Sequence, residues 1–173
     1  MFIKAYKKSI ILFITAGVFI MNSGCGFYSQ TGASIPPDAK LFSVSYINNT
    51  ASIVAPTLSS VFTEKLKTKI INETQLKLTT GEGDLHFSGK IIDYKTAPVA
   101  VQSNSSNSTN RLTITVEISF ENRKDEKKNF TQSFTNFYDY PSEKNLSSVE
   151  TELINTISDM LIQDIFNKAF VNW

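Results

Sequence analysis

The chain of 173 residues has one cysteine, Cys25, and one histidine, His86. These are the side chains best suited to covalent or proton-transfer chemistry near neutral pH. A nucleophilic thiol needs a basic partner to become a thiolate. Cys25 sits in Asn22-Ser23-Gly24-Cys25-Gly26, a run of small residues that supplies no base. His86 stands in LHFSGK, on the same side of a strand as Ser88 and Lys90, with no second histidine and no carboxylate pair at metal-ligand spacing. The scattered carboxylates form no acid/base couple, and no Gly-rich phosphate loop occurs. The reading is therefore a chain with no catalytic residues, no metal site and no cofactor, in which Cys25 is an attachment point.

What precedes Cys25 gives the attachment its chemistry. The chain opens MFIKAYKK, with Lys4, Lys7 and Lys8, and continues with the uncharged run SIILFITAGVFIM. A basic start before a short apolar run is an export signal. The run is short of the roughly 20 apolar residues that a membrane-spanning helix needs. Ser23-Gly24 lets the chain lie extended in a peptidase cleft, and Cys25 directly after that small pair is the pattern of a lipid-modified cysteine. Asn22 takes the place where a Leu is commoner. Residues 1–24 are then a signal peptide, and Cys25 carries an S-diacylglycerol group and an N-acyl chain such as palmitate. Two or more acyl chains give stable membrane anchoring. A simple secretory signal cut near Gly24 is the alternative.

Removing residues 1–24 leaves 149 residues with 14 basic against 16 acidic side chains. That length suits one domain with a proper core. The charge balance gives no reason to expect a nucleic-acid partner. With Cys25 acylated no disulfide can form, so packing alone must hold the fold.

The elements that carry these residues follow from pattern. Residues 25–40 form a linker, where Gly, Ser and Pro36-Pro37 disfavour regular structure. Its stretch from Gly26 to Lys40 could reach roughly 50 Å at about 3.3 Å per residue. Residues 41–173 form the domain. Leu41–Ile47 alternates as a strand with Phe42, Val44 and Tyr46 inward, and Asn48-Asn49-Thr50 ends it. Pro56–Glu73 is an amphipathic helix, with Pro56 at its first position and Leu58, Phe62, Leu66 and Ile70 every four residues. Val61 and Ile71 flank that stripe. Leu76–Thr80 and Leu85–Lys95 are strands, and Gly89 in the second marks a bulge or a close backbone approach. Ala97–Asn110 is a long polar loop. Arg111–Glu121 is a strand with Leu112, Ile114, Val116, Ile118 and Phe120 inward, and Phe130–Tyr138 completes a hairpin. A last helix spans Ser148–Asn172, with a capping box at Ser147–Glu150 and a stripe through Leu153, Ile157 and Leu161. Two helices on one face of a mixed, mainly antiparallel sheet follow, an α/β (α+β) sandwich.

Several stretches stand in a fixed order: Cys25-Gly26-Phe27-Tyr28-Ser29, GASIPPDAK, VAPTLSSVFTEKLKTKI, GDLHFSG, NRLTITV, and LSSVE through DIFNKAFVNW. This series resembles the lipopolysaccharide-assembly lipoprotein family LptE over essentially the whole mature chain. The resemblance implies two helices on a four-stranded sheet and a non-enzymatic role. It implies a 1:1 heterodimer with LptD, a large outer-membrane β-barrel whose lumen the protein plugs and whose assembly it assists. It also implies help in moving lipopolysaccharide to the outer leaflet, with direct lipopolysaccharide binding in some members. The expected location is the outer membrane, lipid-anchored, facing the periplasm and inside the barrel lumen. A pilotin or scaffold lipoprotein of another envelope complex is the competing function. The residues proposed to touch the barrel or lipopolysaccharide are Asn104, Asn107, Asn110 and Arg111, because their amides and guanidinium can bond polar lumen groups or phosphate.

Overall fold

The computed structural model describes residues 35–99 and 108–171. The signal peptide, Cys25, most of the linker, Asn104, Asn107, Asn172 and Trp173 lie outside the described residues. The elements run β1 (Leu41–Val44), β2 (Asn48–Asn49), α1 (Leu58–Glu73), β3 (Lys77–Leu78), β4 (Leu85–Val99), β5 (Thr109–Asn122), a 3-10 turn (Glu126–Lys128), β6 (Phe130–Pro141) and α2 (Leu146–Phe170).

One sheet holds all the strands in the order β3-β1-β4-β5-β6, with β2 beside β4 further along. The expected fold class holds, but the sheet has six strands where four were implied. β1 and β2 explain part of the excess, because they are two halves of one strand line, both parallel to β4. Val44 pairs with Phe87 and Asn48 with Lys90, so the β1–β2 line carries one residue more than β4 over the same length. The extra residue reverses the inward alternation. Ile47 is fully buried and Tyr46 is 54% exposed, the reverse of the expected facing. Ile47 N–H donates to Thr63 Oγ1 of α1 at 3.0 Å, which fixes the kink against the helix. Asn48-Asn49 therefore continues the strand line instead of ending it.

α1 starts at Leu58, two residues after Pro56, which lies in the preceding turn. Its stripe Leu58, Phe62, Leu66 and Ile70 is fully buried, whereas Ile71 is 46% exposed, off the inward face. α2 buries Leu153, Ile157, Leu161 and Ile165 beside α1 and over β5 and β6. The Ser147–Glu150 capping box does not form. The helix begins at Leu146, Asn145 makes no side-chain cap, and Glu150 instead accepts from Tyr94 Oη at 2.6 Å. Burial and that carboxylate raise the Tyr94 pKa, so the phenol stays protonated and ties α2 to β4. Phe87, Phe120, Phe166 and Phe170 form an aromatic cluster between sheet and helix, with ring centroids 4.8 Å apart for Phe87–Phe120 and 4.9 Å for Phe166–Phe170. Each such side chain contributes roughly 1.5–3 kcal/mol through burial.

The β4–β5 hairpin is longer than its composition suggests. Its ladder runs out to Val99 opposite Thr109, so Ala97, Pro98, Asn110 and Arg111 are strand residues. Pro98 is tolerated because β2 stops pairing at Ile91, and beyond it β4 has a strand on one side only. The bulge falls between Ile91 and Asp93, not at Gly89. Gly89 marks a close approach: a Cβ there would stand 2.2 Å from the Glu117 carbonyl oxygen.

Candidate functional site

Helices cover one face of the sheet. Among the described residues no element covers the other, and the strand alternation gives that face mostly polar side chains. β5 contributes Arg111, Thr113, Thr115, Glu117 and Ser119 to it, while Leu112, Ile114, Val116, Ile118 and Phe120 point to the helices. The antiparallel register brings Thr115 opposite Thr135 and Ser119 opposite Thr131, and their hydroxyls bond at 3.0 and 2.8 Å. Most charges on this face occur in pairs, Lys90 with Glu117 at 3.2 Å and Lys95 with Asp93 at 2.7 Å, while Glu121 at its His86 end is exposed and makes no ion pair among the described residues. The face is thus rich in donors and acceptors and carries little uncompensated charge.

Arg111 and Asp139 close the loop end of this face. The guanidinium makes two hydrogen bonds to the carboxylate, Nε to Oδ1 at 2.7 Å and Nη2 to Oδ2 at 3.0 Å. It also stacks 3.6 Å over the Phe137 ring, which is 46% exposed. The hydrogen bond from Arg111 holds the Asp139 carboxyl below its ordinary pKa. Asn110 lies one residue earlier, so its side chain belongs to the helix side, opposite Tyr140. The structure therefore separates these two expected contact residues onto opposite faces. Asn104 and Asn107 lie outside the described residues.

At the other end of the face, His86 bonds two serines of the β1 line: Ser43 Oγ to Nδ1 at 2.8 Å and Ser45 Oγ to Nε2 at 3.3 Å. Sequence reading placed His86 correctly on the polar side but gave no partner, because Ser43 and Ser45 become neighbours only through the parallel pairing of β1 with β4. These three residues line a groove of about 500 Å³ together with Lys67, Glu82 and Arg123. Both cations of the groove are occupied, Arg123 by Glu82 at 2.6 Å and Lys67 by Glu64 at 2.8 Å. Beside it, Asp84 accepts the backbone N–H groups of Lys40 and Leu41 at 2.8 and 3.0 Å and pairs with Lys124. The two backbone donors, then Lys124, hold its pKa at about 2. Asp84 thereby fastens the start of β1 to the start of β4. Among the described residues no three of His, Cys, Asp and Glu stand close enough to share a metal ion.

These features define a two-layer α+β domain with a helical side and a polar uncovered side. The chain belongs to the LptE family of lipopolysaccharide assembly, whose model matches residues 39–169. That places it among the lipoproteins of outer-membrane biogenesis. Among solved structures it is similar to lipoprotein B from Nitrosomonas europaea, with 12% identity, 83% of this chain and 88% of that chain covered, and a TM-score of 0.51. It is also similar to the minor lipoprotein from Acinetobacter baumannii, with 18% identity, 75% and 91% covered, and a TM-score of 0.49. At these identities the first likeness bears on the fold alone. No curated protein matches the chain.

Proposed function

We propose that this protein is the plug of an LptD-type outer-membrane β-barrel, bound 1:1, and that it assists barrel assembly and the delivery of lipopolysaccharide to the outer leaflet. Residues 1–24 are removed, acylated Cys25 holds the chain in the outer membrane, and residues 25–40 let the domain of residues 41–173 reach the lumen. The protein acts by docking and not by catalysis. The observation that carries this reading is the uncovered sheet face. A barrel lumen is lined by polar side chains. A surface of hydroxyls and neutralised ion pairs can exchange water for lumen groups without stranding a buried charge. The lipid anchor keeps plug and barrel in one membrane and raises their effective concentration.

The test is a photocrosslinking amino acid placed in turn at Ser88 and Thr113 on the uncovered face, and at Ser60 on the exposed outer side of α1 as reference. The reading expects Ser88 and Thr113 to capture the barrel in the outer membrane. Capture of no barrel from either position would overturn it.

A further inference from the structure

Besides the two-residue β2, which pairs only with β4, the sheet has three strand edges without a neighbouring strand among the described residues, and they are not alike. β3 is two residues long. The free stretch of β4 is guarded three times over, by the Ile91/Asp93 bulge, the Asp93–Lys95 ion pair and Pro98. Short strands, bulges, charges and proline are the devices that keep an edge from pairing with another chain. The third edge, β6, has almost none of them. It runs twelve residues, FTQSFTNFYDYP, pairs with β5 without a register shift from Phe130 to Pro141, and contains no lysine or arginine. Proline occurs only as its last residue.

We propose that β6 is an interface to a second copy of this chain, added antiparallel along the β6 edge. The same strand on both sides makes the contact self-complementary about a two-fold axis. An axis at Thr135 sets Phe130 opposite Tyr140, Thr131 opposite Asp139, Gln132 opposite Tyr138, and Ser133 opposite Phe137. No like charges meet, and each of these pairs lies on one face of the joined sheet. Asp139 is the only charged residue of the strand, and it is already neutralised by Arg111 within its own chain. The Thr131 hydroxyl of the facing strand can still donate to it. Thr135 is exposed, and on the helix side Gln132 and Tyr138 are exposed as well, so α2 leaves room for the added strand. A β-barrel is closed and has no strand edge to offer. A second copy offers the matching one. The dimer is thus a state of the chain outside the barrel, and it does not depend on the plug reading.

The test uses the full chain, produced in excess over any barrel partner and extracted in mild detergent. Thr135→Cys should form a disulfide-linked dimer on mild oxidation. Thr115→Cys, on the adjacent strand and the same face, and the wild-type chain carried in parallel should form far less. Light scattering should show a dimer for the wild type and a monomer for Thr135→Lys, because two ammonium groups would meet at the axis. Cross-linking of Thr135→Cys no greater than both controls, or the same mass for wild type and Thr135→Lys, overturns the proposal.

Discussion

Arg111 on β5 and Asp139 on β6 lock the loop end of the uncovered face through a two-point hydrogen bond, with the guanidinium stacked on Phe137. The pair is exposed, so it adds little to stability, and its weight lies in presenting a fixed polar surface. Arg111→Ala should shift the melting temperature by no more than about 4 °C. The charge-swapped chain Arg111→Asp/Asp139→Arg should melt close to wild type. Barrel capture should fall in Arg111→Ala and should not recover in the swap if the partner reads the guanidinium at this position. Thermal melts and co-purification of the three variants check both halves.

The interior was assigned by periodicity, and the structure buries it fully at Leu66 and Ile157. Leu66→Asp and Ile157→Asp should each cost about 3–5 kcal/mol, since each puts an unpaired carboxylate where no water reaches. Thr115→Asp lies on the uncovered face directly opposite Asp93. It should cost only about 1 kcal/mol, the like-charge repulsion across one strand pair. Denaturant unfolding of the three variants checks the ranking, and equal losses would mean the facing is wrong.

Asp84 makes the fold acid-sensitive in a defined window. Its folded pKa, about 2, lies below the ordinary carboxylate value of roughly 3.9. Its contribution is complete above the ordinary value and is lost as the pH falls from about 4 through about 2. Asp84→Asn should lower the melting temperature at pH 7, and the gap between variant and wild type should shrink below pH 4. A gap that stays constant across that window would mean Asp84 is not the linked group.

Much of this was legible in the sequence, and the misses have a common origin. Strict alternation in Leu112–Phe120 and the four-residue stripe in α1 identified both faces of the sandwich, because a half-buried strand and helix must repeat with their own geometry. Tyr46 and Ile47 were exchanged because a one-residue excess in the strand line is set by pairing with β4, which local pattern does not contain. Glu150 was read as a cap for the same reason: its partner, Tyr94, lies 56 residues away. Ala97, Pro98 and Asn110 read as loop because their composition is loop-like, yet the β4–β5 ladder extends to them. His86 was seen on the correct side, but its serine partners come from a parallel neighbour.

The anchoring expected at Cys25 has its own test. Cys25→Ser should leave an uncut or wrongly cut precursor and abolish incorporation of a labelled fatty acid. Normal labelling of Cys25→Ser would remove the lipoprotein assignment at that residue while leaving the fold of residues 41–173 untouched.

The central claim, that the uncovered face docks in a barrel, is tested most directly by purifying the tagged chain from outer membranes in mild detergent and quantifying what accompanies it by mass spectrometry. The account predicts one LptD-type barrel per chain for the wild type. It predicts loss of that barrel in Thr115→Arg/Ser119→Arg, which crowds the face, while the melting temperature stays within about 4 °C. Recovery of the chain without such a barrel, or undiminished recovery of the barrel by the crowded variant, would contradict it.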